Sequence, residues 1–309
     1  GEHKGDAAIM LSNLYTNTTN TWLFYTAVGA NAIGMALVEE MTGQSISWTG
    51  WLKATCIPAG IIVLLIPLIT NFLFGTRKGE KRSIDIEFAK KKLEEMGPLT
   101  VKEKKAAIYF VLTLLAFCTN GIHHVAPDYV VFVTIFLMLC PGIGVCSFKD
   151  VGPNFAWPAF IQLGFAMSLA SCVNKTGGFQ WLVDAMFTTN PAFSAMDPTL
   201  FITIWLAFVV VSHIIFAGMN AMEAVLVPVS MTMAAALGFD VYTMGLLTVM
   251  AIAPSANFLP FNSAPNLIYA STDRFSTAQQ LKGAIVIAVL VIIGFVFLVN
   301  VWVPVIGIL

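Results

Sequence analysis

Long apolar runs that are interrupted, rather than ended, by breaks rich in Gly, Asn and Ser constrain this chain most. Uninterrupted runs cover residues 51–74, 106–119, 126–146, 155–174 and 284–303, and a bilayer-crossing helix needs about 20 mostly apolar residues. Two other apolar regions are interrupted. Residues 6–41 break at Gly29, Ala30 and Asn31. Residues 198–270 break at Gly218, Met219 and Asn220, and again over 255–266. Only 11% of the 309 residues are charged, against about a quarter in soluble domains. A soluble chain of this length could not cover its core with so few charges. The pattern predicts an all-α integral membrane protein, because lipid leaves no other partner for the backbone of a spanning segment.

Ten of the 16 Lys and Arg fall between Arg77 and Lys105. That stretch also places Ile84, Ile86, Phe88, Ala89 and Leu93 at roughly helical spacing, which predicts an amphipathic helix on the membrane surface. Its basic residues place it in the cytoplasm. Threading from there puts Arg274 and Lys282 inside and the C-terminus outside. Residues 198–237 read as a re-entrant hairpin with its tip at 218–222, since 223–237 is too short for a full crossing. The five cysteines include no CxxC pair and no cluster with His, so no disulfide framework or metal site is expected. Gly1 opens the chain without a signal-like leader, and the sequence reads as the interior of a longer protein.

Ala30-Asn31-Ala32-Ile33 and Pro265-Asn266-Leu267-Ile268 match in sequence and in context. Each follows an apolar helix with polar spots and precedes a long final span. One of those spans ends inside and the other outside, which predicts an inverted repeat. The organisation expected is the end of a first repeat over 1–75, a cytoplasmic linker over 76–105, and a second repeat over 106–309. The second repeat holds the hairpin 198–237 and a broken helix over 240–272. Broken helices at matching places in inverted halves mark a transporter's binding site. The breaks carry Gly29, Ala30 and Asn31; Gly218, Met219 and Asn220; and Asn262, Ser263, Ala264, Pro265 and Asn266. Small residues open the backbone N–H groups, amides and hydroxyls donate hydrogen bonds, and half-helix N-termini favour an anion. Polar side chains in membrane helices also bond neighbouring helices. Glu223, just past the hairpin tip, is a candidate coupling residue, a partner for His213 or a cap. No His/Asp/Glu constellation has catalytic spacing, so an enzyme is not expected.

Leu259-Pro260-Phe261-Asn262-Ser263-Ala264-Pro265-Asn266-Leu267-Ile268-Tyr269 resembles the loop of the divalent anion:sodium symporter family, as does the first-repeat segment 22–31. The likeness extends through residues 48–58, Lys92-Leu93, Met96-Gly97-Pro98 and 157–181, closest to the branch of citrate/succinate and 2-oxoglutarate/malate exchangers. It implies an inverted-repeat, elevator-type homodimer in a bacterial inner or plasma membrane, carrying small di- or tricarboxylates by exchange or sodium symport. It further implies two hairpin tips reading Ser-Asn-Thr that meet the two loops. Here the second tip reads Gly218-Met219-Asn220, which leaves a sodium ion near Gly218, Asn220 and Asn262 as a possibility. The first hairpin is expected upstream of Gly1. Apart from sodium no cofactor is implied, and the partners are carboxylate anions, lipid and a second copy, with no nucleic acid. A related permease for another ion, by sodium/proton exchange or arsenite efflux, is the alternative.

Overall fold

The structure, a computed structural model, describes residues 6–75, 86–123, 125–154, 157–189, 196–216 and 218–307. Among them every regular element is helical. In chain order these are α1 (Asp6–Leu23), α2 (Gly29–Thr42), α3 (Trp48–Phe74), α4 (Ile86–Met96), α5 (Val101–Cys118) and α6 (Asn120–His123). Then come α7 (Pro127–Leu139), α8 (Phe148–Val151), α9 (Trp157–Lys175), α10 (Gly178–Thr189) and α11 (Pro198–Ser212). The remainder are α12 (Met219–Leu237), α13 (Val241–Ile252), α14 (Ala264–Ala270), α15 (Thr277–Phe297) and α16 (Val303–Ile306). Helical stretches Trp48–Phe74, Met219–Leu237 and Thr277–Ile306 are long and apolar enough to cross a membrane.

The chain divides into two compact units. The first comprises residues 1–46, 50–76 and 158–309. Its core is aromatic at the centre: Trp22 stacks on Phe295 with ring centroids 4.2 Å apart. The Trp51 indole N–H donates to the Trp22 carbonyl at 2.9 Å, so a buried tryptophan of α3 is fixed to the end of α1. Gly294 permits this packing, since a Cβ there would lie 2.9 Å from both Trp22 Cη2 and Ile62 Cδ1. On α11, Trp205 Nε1 donates to Thr248 Oγ1 of α13 at 2.9 Å. Local chemistry sets the ends of these helices. Asp240 caps α13 through the Thr243 N–H, and Ser276 with Gln279 forms a capping box on α15. Gly43 and Gly238 close α2 and α12 in the left-handed region that glycine reaches without strain.

The second unit comprises residues 47–49 and 77–157. Thr100 and Glu103 form a capping box at the head of α5. The Thr100 backbone N–H and then its hydroxyl hold the Glu103 carboxyl below its usual range. Thr113 and Thr134 share a hydrogen bond of 2.7 Å between α5 and α7. Outward-facing Phe110, Leu112, Phe132 and Phe136 are exposed. The contact grouping thus places 106–157 with the linker residues, whereas the sequence repeat groups 106–309.

Three expectations change. The run 126–146 does not form one helix: α7 stops at Leu139, and Gly142 turns the chain with φ +86°. The return arm of the hairpin is longer than 223–237, because the tip residues from Met219 onward form the first turn of a 19-residue α12. The length argument for a re-entrant hairpin therefore falls. The first break lies at residues 24–28, and Gly29, Ala30 and Asn31 are the first turn of α2. The linker helix forms over Ile86–Met96 with Leu93 and Met96 exposed, while Arg77, Lys78, Lys81, Arg82 and Ile84 lie outside the described residues.

Candidate functional site

A helix that stops inside a membrane leaves its last carbonyls without donors. Two asparagines solve this in the same way at the two breaks. Asn31, fully buried in the first turn of α2, donates from Nδ2 to the carbonyls of Thr21 (2.9 Å), Phe24 (3.4 Å) and Tyr25 (3.2 Å). Asn266, fully buried in the first turn of α14, donates to the carbonyls of Ala256 (2.7 Å) and Leu259 (3.0 Å). The acceptors lie 10 and 7 residues back in both cases. Both Oδ1 atoms are buried and have no hydrogen-bond partner among the described residues.

Asn262 stitches the second break to the chain leaving α11. Its Nδ2 donates to the carbonyls of His213 (2.8 Å) and Phe216 (2.9 Å), while Oδ1 accepts from the Leu259 N–H at 2.7 Å. The carboxamide N–H groups of Asn31, Asn262 and Asn266 thus bond the chain's own carbonyls, where donation to a carboxylate was expected of them. His213 is held from the other side. Its Nδ1 lies 2.8 Å from Ser255 Oγ, whose own hydrogen goes to the Ile252 carbonyl. Glu223 does not pair with His213, since neither carboxyl oxygen has a partner among the described residues.

Behind the second break runs a further buried chain of bonds. Tyr15 donates to the Gln280 carbonyl at 2.6 Å, Gln280 Nε2 donates to the Asn257 carbonyl at 3.1 Å, and Thr18 bonds the Asn257 side chain. Sequence reasoning missed Asn257 and Gln280. The signal was an amide in an apolar run, and placing the start of the last span at Ala284 left Gln280 outside it.

In front of the breaks is a cavity of about 350 Å³. Its walls include Val28, Gly218, Met219, Asn220, Asn262, Ser263, Ala264 and Pro265, with Phe261 and Leu267 completing it. Val28, Gly218 and Ser263 are the N-cap residues of α2, α12 and α14. Three helix N-termini thus open on one space. Neither α2 nor α12 has a side-chain cap on its first-turn N–H groups. Among the described wall residues none carries a charge. Gly29, Ala30, Asn31, Asn266 and Glu223 stand outside the wall.

A family model, the sodium:sulfate symporter transmembrane region, matches residues 2–309. The chain belongs to this family. The likeness to divalent anion:sodium symporters seen in the two loops is thereby borne out. Similar proteins include the citrate/succinate antiporter of Escherichia coli strain K12, 24% identical over 294 residues, which covers 93% of this chain and 59% of that protein. The L-tartrate/succinate antiporter of the same strain is 25% identical over 312 residues, covering 96% and 60%. A chloroplastic dicarboxylate transporter of Spinacia oleracea is 28% identical over 182 residues, covering 58% and 31%. The chain spans about half the length of the curated relatives it matches first. As a member of a sodium:sulfate symporter family with apolar helices of spanning length, it is an integral membrane protein.

Proposed function

We propose that the protein is a secondary transporter that exchanges small dicarboxylates, and that the cavity between the second break and the hairpin tip holds one end of the substrate. The convergence of the α2, α12 and α14 N-termini on that cavity carries the reading. Each end contributes at most ~2 kcal/mol to an anion in a partly buried setting. The two uncapped ends, α2 and α12, together supply at most ~4 kcal/mol, which corresponds to a Kd of about 1 mM. That is weak enough to release cargo, and it needs no lysine or arginine. The relatives' names support a diacid: both bacterial antiporters are named for succinate.

Exchange is favoured over sodium symport because the tip reads Gly218-Met219-Asn220 in place of Ser-Asn-Thr, and because the Asn262 amide is engaged by protein. The shared bonding of Asn31 and Asn266 supports an inverted repeat, with the two breaks moving as one body in an elevator cycle. The exposed apolar side chains on α5 and α7 suit contact with lipid or with a second copy.

The test is uptake of labelled succinate by the full-length protein in proteoliposomes. Uptake should require unlabelled diacid inside and ignore external sodium. Uptake driven by sodium with empty vesicles would replace exchange by symport, and no uptake in either arrangement would remove the carboxylate reading. Asn220→Leu, which puts an apolar side chain into the wall, should raise KM for succinate roughly tenfold, the equivalent of one lost charged hydrogen bond of ~1.5 kcal/mol. An unchanged KM would take Asn220 out of the site.

A further inference from the structure

Glu223 sits one helical turn beyond Asn220 on α12 and is fully buried. It does not line the cavity. Its carboxyl fills the place a side chain would take at Gly34 of α2: a Cβ on Gly34 would collide with Oε2 and lie 2.6 Å from Val249 Cγ2 of α13. The acid is thus enclosed where α2, α12 and α13 meet, and both oxygens lack a partner among the described residues.

Among the described residues, the helices packed on it offer no cation to neutralise it. The helices packed on α12 are α2, α13 and α10. Their titratable groups are Glu39 and Glu40 at the exposed end of α2, the half-buried Tyr242 at the start of α13, and the exposed Asp184 of α10. No Lys, Arg or His lies on α2, α10, α12 or α13. A carboxyl enclosed among apolar neighbours without a cation is held as the neutral acid or must meet water. The N-termini of α2 and α12, which frame this contact, are also the two long helix ends that open on the cavity.

We propose that Glu223 is a proton site: its carboxyl is protonated while α2 and α12 are packed on each other, and it releases the proton to water when they part. Proton occupancy is then coupled to closure of the substrate cavity. The identity of the substrate rests on the function proposed above, but the proton site does not.

Two measurements on the full-length protein in lipid test it. The first is infrared difference spectroscopy at neutral pH. The carbonyl stretch of a protonated carboxylic acid, shifted by deuterium exchange, should be present in the parent and absent in Glu223→Gln. Gly34→Ala, which intrudes on Oε2, should displace the band. A band that survives Glu223→Gln, or none in the parent, overturns the proposal. The second is the pH profile of succinate exchange, with the substrate's own titration common to both proteins. The parent should lose exchange on the alkaline side, falling roughly tenfold per pH unit beyond the titration of the site. Glu223→Gln, a mimic of the neutral acid, should keep exchange and lose that limb. A variant that follows the parent's profile overturns the coupling, as does a variant whose only change is in sodium dependence. If the parent exchanges no succinate at all, the carboxylate reading fails, and the infrared band still decides Glu223.

Discussion

Asn266→Ala should lower the stability of the protein by about 2–4 kcal/mol, because it strands the buried carbonyl of Ala256 at ~1–3 kcal/mol and removes one of two bonds to the Leu259 carbonyl, which keeps the Asn262 N–H, at ~1 kcal/mol. Hydrogen bonds between membrane helices usually count for less, averaging ~0.6 kcal/mol, since a separated helix finds other partners in the membrane. That discount does not apply here. The Ala256 carbonyl lies in irregular backbone between the end of α13 and the Pro260–Asn262 turn, and Ala256 is fully buried. Asn31→Ala should behave alike, taking the amide donor from the Thr21 and Tyr25 carbonyls, while the Phe24 carbonyl keeps the Ala27 N–H. Asn266→Asp should be at least as harmful, because it keeps the shape and turns an oxygen towards two carbonyls. The check is the thermal midpoint in detergent of each variant beside Asn220→Leu, which should melt with the parent. If Asn266→Ala melts with the parent and only succinate affinity falls, the amide belongs to the substrate and its role as a staple is wrong.

This result bears on how much of the site was legible in the sequence. That the apolar runs are broken, and that residues 30–33 pair with 265–268, follows from apolar runs and small polar residues alone, whereas the meeting of residues 218–220 with the second loop was implied by the family resemblance. What an amide touches does not. Asn31 and Asn266 look like substrate donors in a sequence because each is an amide at a break in an apolar run, beside small residues such as Gly29 and Ala30 or Ser263 and Ala264. Their actual acceptors, ten and seven residues back, exist only once the preceding helix has stopped. Hydropathy similarly mistook the start of α12: Gly218 and Asn220 look like a loop, yet Asn220 takes a helical first turn whose free N–H groups are the chemical feature of interest. Glu223 was visible as an intramembrane acid. That its space is the missing side chain of Gly34 was not, because the two residues are remote in the chain and meet through packing of α2 on α12.

Gly283→Ala should be nearly as damaging, and its effect should reach the second break from the rear. An added Cβ would collide with the Tyr15 hydroxyl oxygen and lie 2.8 Å from Cε2 and 2.9 Å from Cζ. Tyr15 is fully buried, and flipping its ring does not move the hydroxyl, which lies on the flip axis. Overpacking of this kind costs about 1–3 kcal/mol, and loss of the Tyr15 bond to the Gln280 carbonyl adds ~1 kcal/mol. Gln280 and Thr18 both hold Asn257, so a shifted Tyr15 loosens the segment from which the cavity wall is built. Tyr15→Leu should be destabilising alone, yet it should relieve Gly283→Ala in the double variant, with a coupling of at least ~1 kcal/mol. Thermal midpoints of the four proteins give that coupling directly. Strict additivity would mean that α15 and Tyr15 yield independently, and the support of the second break would then have to come from Asn262 and Asn266 alone.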